Sequence, residues 1–121
     1  MSEIQNSNKY NLEERTLTFA VAVRIFVRKL PRTISNIEDS KQLVRSSGSV
    51  GANYIEANEA LGKKDFLLHI KISRKEAKES IYWLKLINIG ENELLLEERL
   101  KLMNEGTELM KIFGSIITKS V

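Results

Sequence analysis

The chain has 121 residues, of which 42% are hydrophobic and 29% are charged, and its formal net charge is +3. This length and composition are typical of one globular domain and exclude a disordered chain. The sequence contains no cysteine and a single histidine, His69. Disulfides and thiolate metal sites are therefore excluded. A single histidine also argues against a histidine metal site and against a serine–histidine–aspartate triad. We expect a protein that is not an enzyme and that holds no metal or cofactor.

The sequence also argues against a membrane protein. No apolar run approaches the length that crosses a bilayer, and the polar N-terminus lacks the features of a signal peptide. We expect a cytoplasmic protein without membrane association, although composition does not indicate what it binds.

Apolar residues recur at spacings of three and four, which predicts helices, and one proline with six glycines argues against a sheet-rich fold. The first helix is expected over Leu12–Leu30, with Asn11 as its N-cap. It ends there because Pro31 disfavours helical geometry in the residue before it. Residues 1–10 are polar, and we predict a frayed segment there, ahead of a bundle domain over residues 11–121.

Three further helices are predicted along the chain. The second begins at a cap on Ser35 or Asn36 and ends at about Leu61. The third covers residues 63–89, and the fourth fills most of residues 96–119. Short connections place consecutive helices side by side and antiparallel. The predicted fold is therefore all-α, an antiparallel up-and-down four-helix bundle.

Helical projection predicts which residues face the core. The first helix has one apolar stripe that includes Phe19 and Phe26. The fourth helix is expected to bury the face that contains Leu96, Leu100 and Met110.

Large apolar residues also lie away from the predicted core faces of the first and third helices. They are Leu17, Val21, Ile25, Leu68, Ile72, Trp83 and Leu86. Burial of such a side chain contributes about 1.5–3 kcal/mol, so an exposed patch of this extent favours self-association through these residues. The alternative is that the helices are rotated from this projection and that these residues widen the core.

Positive charge is concentrated on the third helix. Residues 63–90 carry a net charge of +4, whereas residues 91–121 carry a net charge of −2. One sector of the helix contains six cations and a tyrosine: Lys64, Lys71, Arg74, Lys75, Lys78, Tyr82 and Lys85. A basic stripe with an aromatic neighbour suits a phosphate backbone and one stacked base. The alternative is a solvated face that keeps the protein soluble.

Glu76 lies at the edge of the predicted core, where a carboxylate requires a partner. We expect that partner to be Arg74 or Lys75 of an adjacent subunit, or Asn53 or Asn58 of the second helix. A catalytic role is disfavoured, because no second acid, nucleophile or phosphate loop accompanies this residue. The Glu-x-x-His pairs of di-iron bundles are also absent from the sequence.

Several stretches resemble one bacterial family. They are Arg28–Pro31, the small-residue helix Gln42–Ala57, and Asp65–Phe66 followed by Ile70–Glu79 and Tyr82–Leu84. They are similar to the four-helix-bundle proteins encoded in intervening sequences of 23S ribosomal RNA genes, also labelled the S23 ribosomal protein family. The likeness covers about residues 12–118.

The resemblance implies a bundle that assembles as a homopentamer. It also implies kinship with the accessory bundle proteins of diversity-generating retroelements, which associate with a reverse transcriptase and nucleic acid through a basic surface. It implies no catalytic residues. The stretch Glu56–Ala60 departs from the family pattern, because relatives often have a glycine and a basic residue there.

The sequence therefore predicts a non-catalytic homo-oligomer that binds RNA or DNA through the third helix. The alternative is a protein–protein adaptor whose basic face docks on an acidic partner, for example a nucleic-acid enzyme such as a reverse transcriptase. An enzyme would need a pocket with convergent polar groups, which the sequence does not supply.

Overall fold

The chain forms four helices: α1 (Ser2–Arg28), α2 (Ile34–Asn58), α3 (Lys63–Leu86) and α4 (Glu93–Ser120). The computed structural model describes the backbone of residues 2–121 and the side chains of residues 12–121. Each helix packs against the next along the chain, and α1 also contacts α4. This arrangement confirms the predicted all-α, up-and-down four-helix bundle.

The first turns of α1 precede the predicted start at Leu12. The predicted N-cap, Asn11, lies within α1 and not at its end. Fraying of residues 1–10 stays a prediction, because the side chains of these residues lie outside the described part of the chain.

The core is formed by large apolar side chains from all four helices. Phe19 and Phe26 of α1 are buried as predicted, together with Leu43 of α2, Ile70 of α3 and Phe113 of α4. Burial of side chains of this size is the main stabilising contribution to such a fold.

The predicted core face of α4 is wrong in part: Met110 packs against the core as predicted, but Leu96 and Leu100 do not. Leu96 and Leu100 are 42% and 54% exposed, whereas Leu102, Leu109 and Phe113 face the core. Apolar residues occur on most sides of this helix, so their spacing alone does not select one direction. The observed rotation buries the phenylalanine, which removes more apolar surface from water.

Polar contacts hold α2 against α3 inside the bundle. The buried Ser73 hydroxyl donates a hydrogen bond to the carbonyl of Val50 at 2.9 Å. The hydroxyls of Ser46 and Ser80, both buried, are 2.8 Å apart. Because these small side chains are satisfied, they allow the two helices to approach closely without leaving buried polar groups unpaired.

Ion pairs join α1 to α4 at the surface. The Arg15 guanidinium donates to both carboxylate oxygens of Glu105, with Nε–Oε2 and Nη2–Oε1 distances of 3.0 and 2.7 Å. These hydrogen bonds raise the pKa of Arg15 above its ordinary value. Lys29 pairs with Glu98 at 2.8 Å near the other end of the two helices.

The side chain that caps α2 is Thr33, and not Ser35 or Asn36 as predicted. Thr33 Oγ1 accepts a hydrogen bond from the backbone N–H of Asn36. The Asn36 side chain is buried and has a different role. Its Nδ2 donates to the carbonyls of Pro31 and Asn88 at 2.9 and 2.8 Å, and its Oδ1 accepts from the N–H of Asn88 at 3.0 Å. One amide thus ties the connection 29–33 to the connection 87–92.

Two glycines of α2 provide a matched test of helix packing. A Cβ at Gly51 would lie 2.8 Å from Oγ1 and 3.0 Å from Cβ of Thr16, which is buried in α1. A Cβ at Gly48 would meet only the Arg24 guanidinium, at 3.5 Å. We expect Gly51→Ala to lower the free energy of unfolding by about 1–2 kcal/mol, because overpacking exceeds the gain in helix propensity. Gly48→Ala should raise it by up to about 1 kcal/mol.

Urea unfolding of both variants at one protein concentration measures this difference. Equal stabilisation by the two alanines would show that α1 and α2 do not require the glycine contact.

Candidate nucleic-acid interface

The outer side of α3 carries a continuous row of cations. We define the basic face as Lys64, Lys71, Arg74, Lys75, Lys78 and Lys85, all of which are exposed. Their spacing places them on one side of the helix, and a helical rise of 1.5 Å per residue gives the row a length of about 32 Å. That length is close to one turn of a nucleic-acid duplex.

The cations of the basic face are not neutralised by neighbouring acids. Within residues 12–121, no carboxylate lies within 4.0 Å of any of the six cationic groups. An exposed row of unpaired cations generates a positive potential along the helix.

The carboxylates of α3 lie on the opposite edge of the helix, next to α2. Glu76 Oε1 is 3.3 Å from Arg45 Nη1, and Glu79 pairs with Nη2 of the same guanidinium. Asp65 Oδ1 is 3.7 Å from His69 Nε2, and the other ring nitrogen of this histidine is 3.0 Å from Asn53 Oδ1. Glu76 and Glu79 are thus directed away from the basic face, whereas Asp65 stays exposed at the start of the helix.

The partners of Glu76 predicted on α2, Asn53 and Asn58, are wrong. Its side chain, 14% exposed, is paired with Arg45 of that helix. A contact with Arg74 or Lys75 of an adjacent subunit stays a prediction. The guanidinium can reach two acids one turn apart, Glu76 and Glu79, because its donors are arranged in a fork. The pairing is intramolecular, so Glu76 does not require an adjacent subunit.

Tyr82 lies among the cations with its ring 57% exposed. The ring contacts Trp83 edge-on, with 5.0 Å between ring centroids and an interplanar angle of 75°. Trp83 is itself fixed, because its Nε1 donates to Glu79 Oε2 at 3.0 Å.

The chain matches the model of a family described as 23S rRNA-intervening sequence protein, over residues 8–115. The chain belongs to this family. The resemblance inferred from Gln42–Ala57 and from the third helix is therefore confirmed.

A solved structure agrees with the family match. It is the crystal structure of a protein of unknown function from the S23 ribosomal protein family of Bacteroides thetaiotaomicron, 33% identical in sequence, with a TM-score of 0.74. The alignment covers 88% of this chain and 97% of that chain. No curated protein matches the sequence. The relation to the accessory proteins of retroelements stays a prediction.

The apolar residues predicted to form an oligomer interface differ in exposure. Leu17, Val21 and Ile25 of α1 are 59%, 47% and 43% exposed, and Leu68 and Leu86 of α3 are also half exposed. These side chains leave substantial apolar surface uncovered on this family member.

The remaining two predicted interface residues are less exposed. Trp83 is partly buried and packs against the core, and Ile72 is also half-buried. For Trp83 the alternative prediction, a widened core, describes its position in this chain.

An apolar groove of about 460 Å³, which the sequence does not predict, lies between α1 and α2. Leu17 and Val21 line it together with Gly48, Ala52 and Ile55. Ile55, 53% exposed, therefore extends the apolar surface of α1. Ile55 is absent from the predicted interface because helical projection assigns it to the inward face of α2, and this assignment is wrong.

Neither a metal site nor a membrane span is found in the described structure. Among the side chains of residues 12–121, no cluster of three metal-ligating groups occurs. No helix within residues 2–121 combines the length and the apolar character that crossing a bilayer requires.

Proposed function

We propose that this protein is a homo-oligomer that binds nucleic acid through the basic face of α3. The single observation that carries the proposal is the separation of charge on this helix. Six exposed cations occupy one side, two carboxylates pair with Arg45 of α2, and the third, Asp65, lies 3.7 Å from His69. A solvated helix that serves only solubility has no need of this separation, whereas a phosphate backbone requires unpaired cations along one line.

Assembly would strengthen binding through this face. The exposed apolar residues of α1, Leu17, Val21 and Ile25, support self-association. Each added subunit brings a further basic face, and binding sites linked in one particle gain affinity through high effective concentration. The subunit number of five rests on the family resemblance.

The proposed role is a binding role without a chemical step. The histidine of the chain, His69, contacts Asn53 and Asp65 and is directed towards α2. A nucleic-acid-binding role would place the protein in the cytoplasm.

The salt dependence of binding tests the proposal. Neutralised phosphates release condensed counterions, so each contact adds about 0.7 to the slope of log affinity against log salt for single strands and about 0.9 for duplex DNA. The double substitution Arg74→Ala/Lys78→Ala should therefore lower the slope by roughly 1.4–1.8 per contacting subunit. The measurement is fluorescence anisotropy of labelled single-stranded and duplex oligonucleotides at several salt concentrations.

The double substitution Lys101→Ala/Lys119→Ala is the matched control, because it removes two exposed cations from α4. This control should leave the slope unchanged. An equal decrease in both variants would show that only net charge matters, and unchanged slopes in both would identify the basic face as a solvated surface. In the latter case the adaptor hypothesis, with an acidic protein partner, would replace the proposal.

A further inference from the structure

We propose that the basic face selects single-stranded nucleic acid, with Tyr82 as the residue that stacks on an unpaired base. The inference rests on the proposed function and specifies its substrate class. Its starting observation is the position of one exposed aromatic residue between Lys78 and Lys85, near one end of the row of cations.

The ring is surrounded by groups that bind phosphates. Lys78 and Lys85 lie four residues before and three residues after Tyr82, which separates their Cα atoms by about 10 Å along the helix axis. Lys75 lies on the same side two turns before the ring. A strand held by these cations would pass over the tyrosine, so that its bases and the ring could meet.

The Tyr82 ring is also held in place by contacts that lead back to α2. Trp83 contacts it edge-on, Glu79 accepts a hydrogen bond from the indole, and Arg45 of α2 pairs with Glu79. This chain of contacts begins at the packed α2–α3 edge and ends at the exposed ring. A ring that is already ordered loses little conformational freedom when a base stacks on it, which favours binding.

Base pairing determines whether the ring can contribute. In a duplex the bases are stacked inside the helix, and the cations meet only the phosphates. In a single strand one base can turn towards the ring, and stacking of this kind contributes about 5- to 150-fold in affinity for each base. The cations should therefore bind both forms, and Tyr82 should favour the single strand.

The test compares three DNA probes of equal length: a single strand, the same strand as a duplex, and a single strand with abasic sites throughout. Wild-type protein should bind the first probe at least about 5-fold more tightly than the abasic probe. Tyr82→Ala should remove this difference, and Tyr82→Phe should retain it. The slope of log affinity against log salt should be the same for the wild type, Tyr82→Ala and Tyr82→Phe, since tyrosine carries no charge near neutral pH.

Trp83, the single tryptophan of the chain, gives a second readout. Its fluorescence should change on binding of the single strand and remain constant on binding of the abasic probe, because the base stacks on the ring that Trp83 supports. Sedimentation of Tyr82→Ala serves as the control for assembly, which should be unchanged.

The outcomes separate the two proposals. If the wild-type protein binds none of the probes at low salt, the proposed function fails, and this inference with it. If all three probes bind equally, or if Tyr82→Ala weakens all three alike, only the inference on Tyr82 is overturned. An altered oligomeric state of Tyr82→Ala would assign the ring to a subunit interface and would also overturn it.

Discussion

Replacement of Asn36 by alanine should lower the free energy of unfolding by about 3 kcal/mol. The side chain is buried and makes three hydrogen bonds, two to Asn88 and one to Pro31. A hydrogen bond contributes about 1 kcal/mol net, and each unpaired group left behind adds a desolvation cost. Urea unfolding followed by far-ultraviolet circular dichroism measures the effect, at one protein concentration because the proposed assembly would contribute to stability.

Two further variants test whether the loss of stability comes from the hydrogen bonds of this amide. Asn36→Asp keeps the size and the acceptor of the asparagine, but it replaces the donor to two carbonyls with a buried charge, so it should destabilise at least as strongly. Ser35→Ala, at the exposed neighbouring position, should change stability by less than about 0.5 kcal/mol. An Asn36→Ala variant as stable as Ser35→Ala would show that the two connections do not depend on this amide.

The double substitution Val21→Lys/Ile25→Lys should disperse the proposed oligomer while the helices remain folded. Both side chains are exposed in one subunit, so the lysines are tolerated by the isolated bundle. In an interface, two unpaired ammonium groups would lose their hydration, and we expect affinity between subunits to fall roughly 1,000-fold or more. Sedimentation velocity at micromolar concentration, together with circular dichroism, measures assembly and helix content separately.

Ile34→Lys/Leu61→Lys is the matched control, since it replaces two other exposed apolar residues, one at the start of α2 and one in the connection 59–62. Sedimentation of this control should equal that of the wild type. A wild-type protein that sediments as a monomer would contradict the proposed assembly, and dispersal by the control variant would place the interface elsewhere.

The helices could be predicted because their signals are local. Pro31 and Gly62 interrupt the apolar spacing at the ends of helices, and the cations of α3 have the spacing of one helical face. A property that depends on a single helix, such as the basic face, is therefore contained in the sequence of that helix.

Contacts between helices could not be predicted in the same way. Asn36 bonds to Asn88, which is 52 residues further along the chain, and Arg45 reaches Glu76 and Glu79 on another helix. Such pairs depend on the packing of α2 on α3 and on the path of the connections. The wrong prediction for Leu96 and Leu100 of α4 has a related cause. The rotation of this helix is set by the volume that the other three helices leave to be filled.

The single amide that ties two connections makes the ends of the bundle unequal. Asn36 fastens the connections 29–33 and 87–92 to each other. At the opposite end, the hydrogen bonds described for the connection 59–62 reach only the preceding or following turn of α2 and α3. Thermal opening should therefore start at the end that carries Lys64 and should be rarest near Lys85. The basic face would then be rigid near Lys85 and mobile near Lys64. This mobility would let α3 adapt to single strands that follow an irregular path.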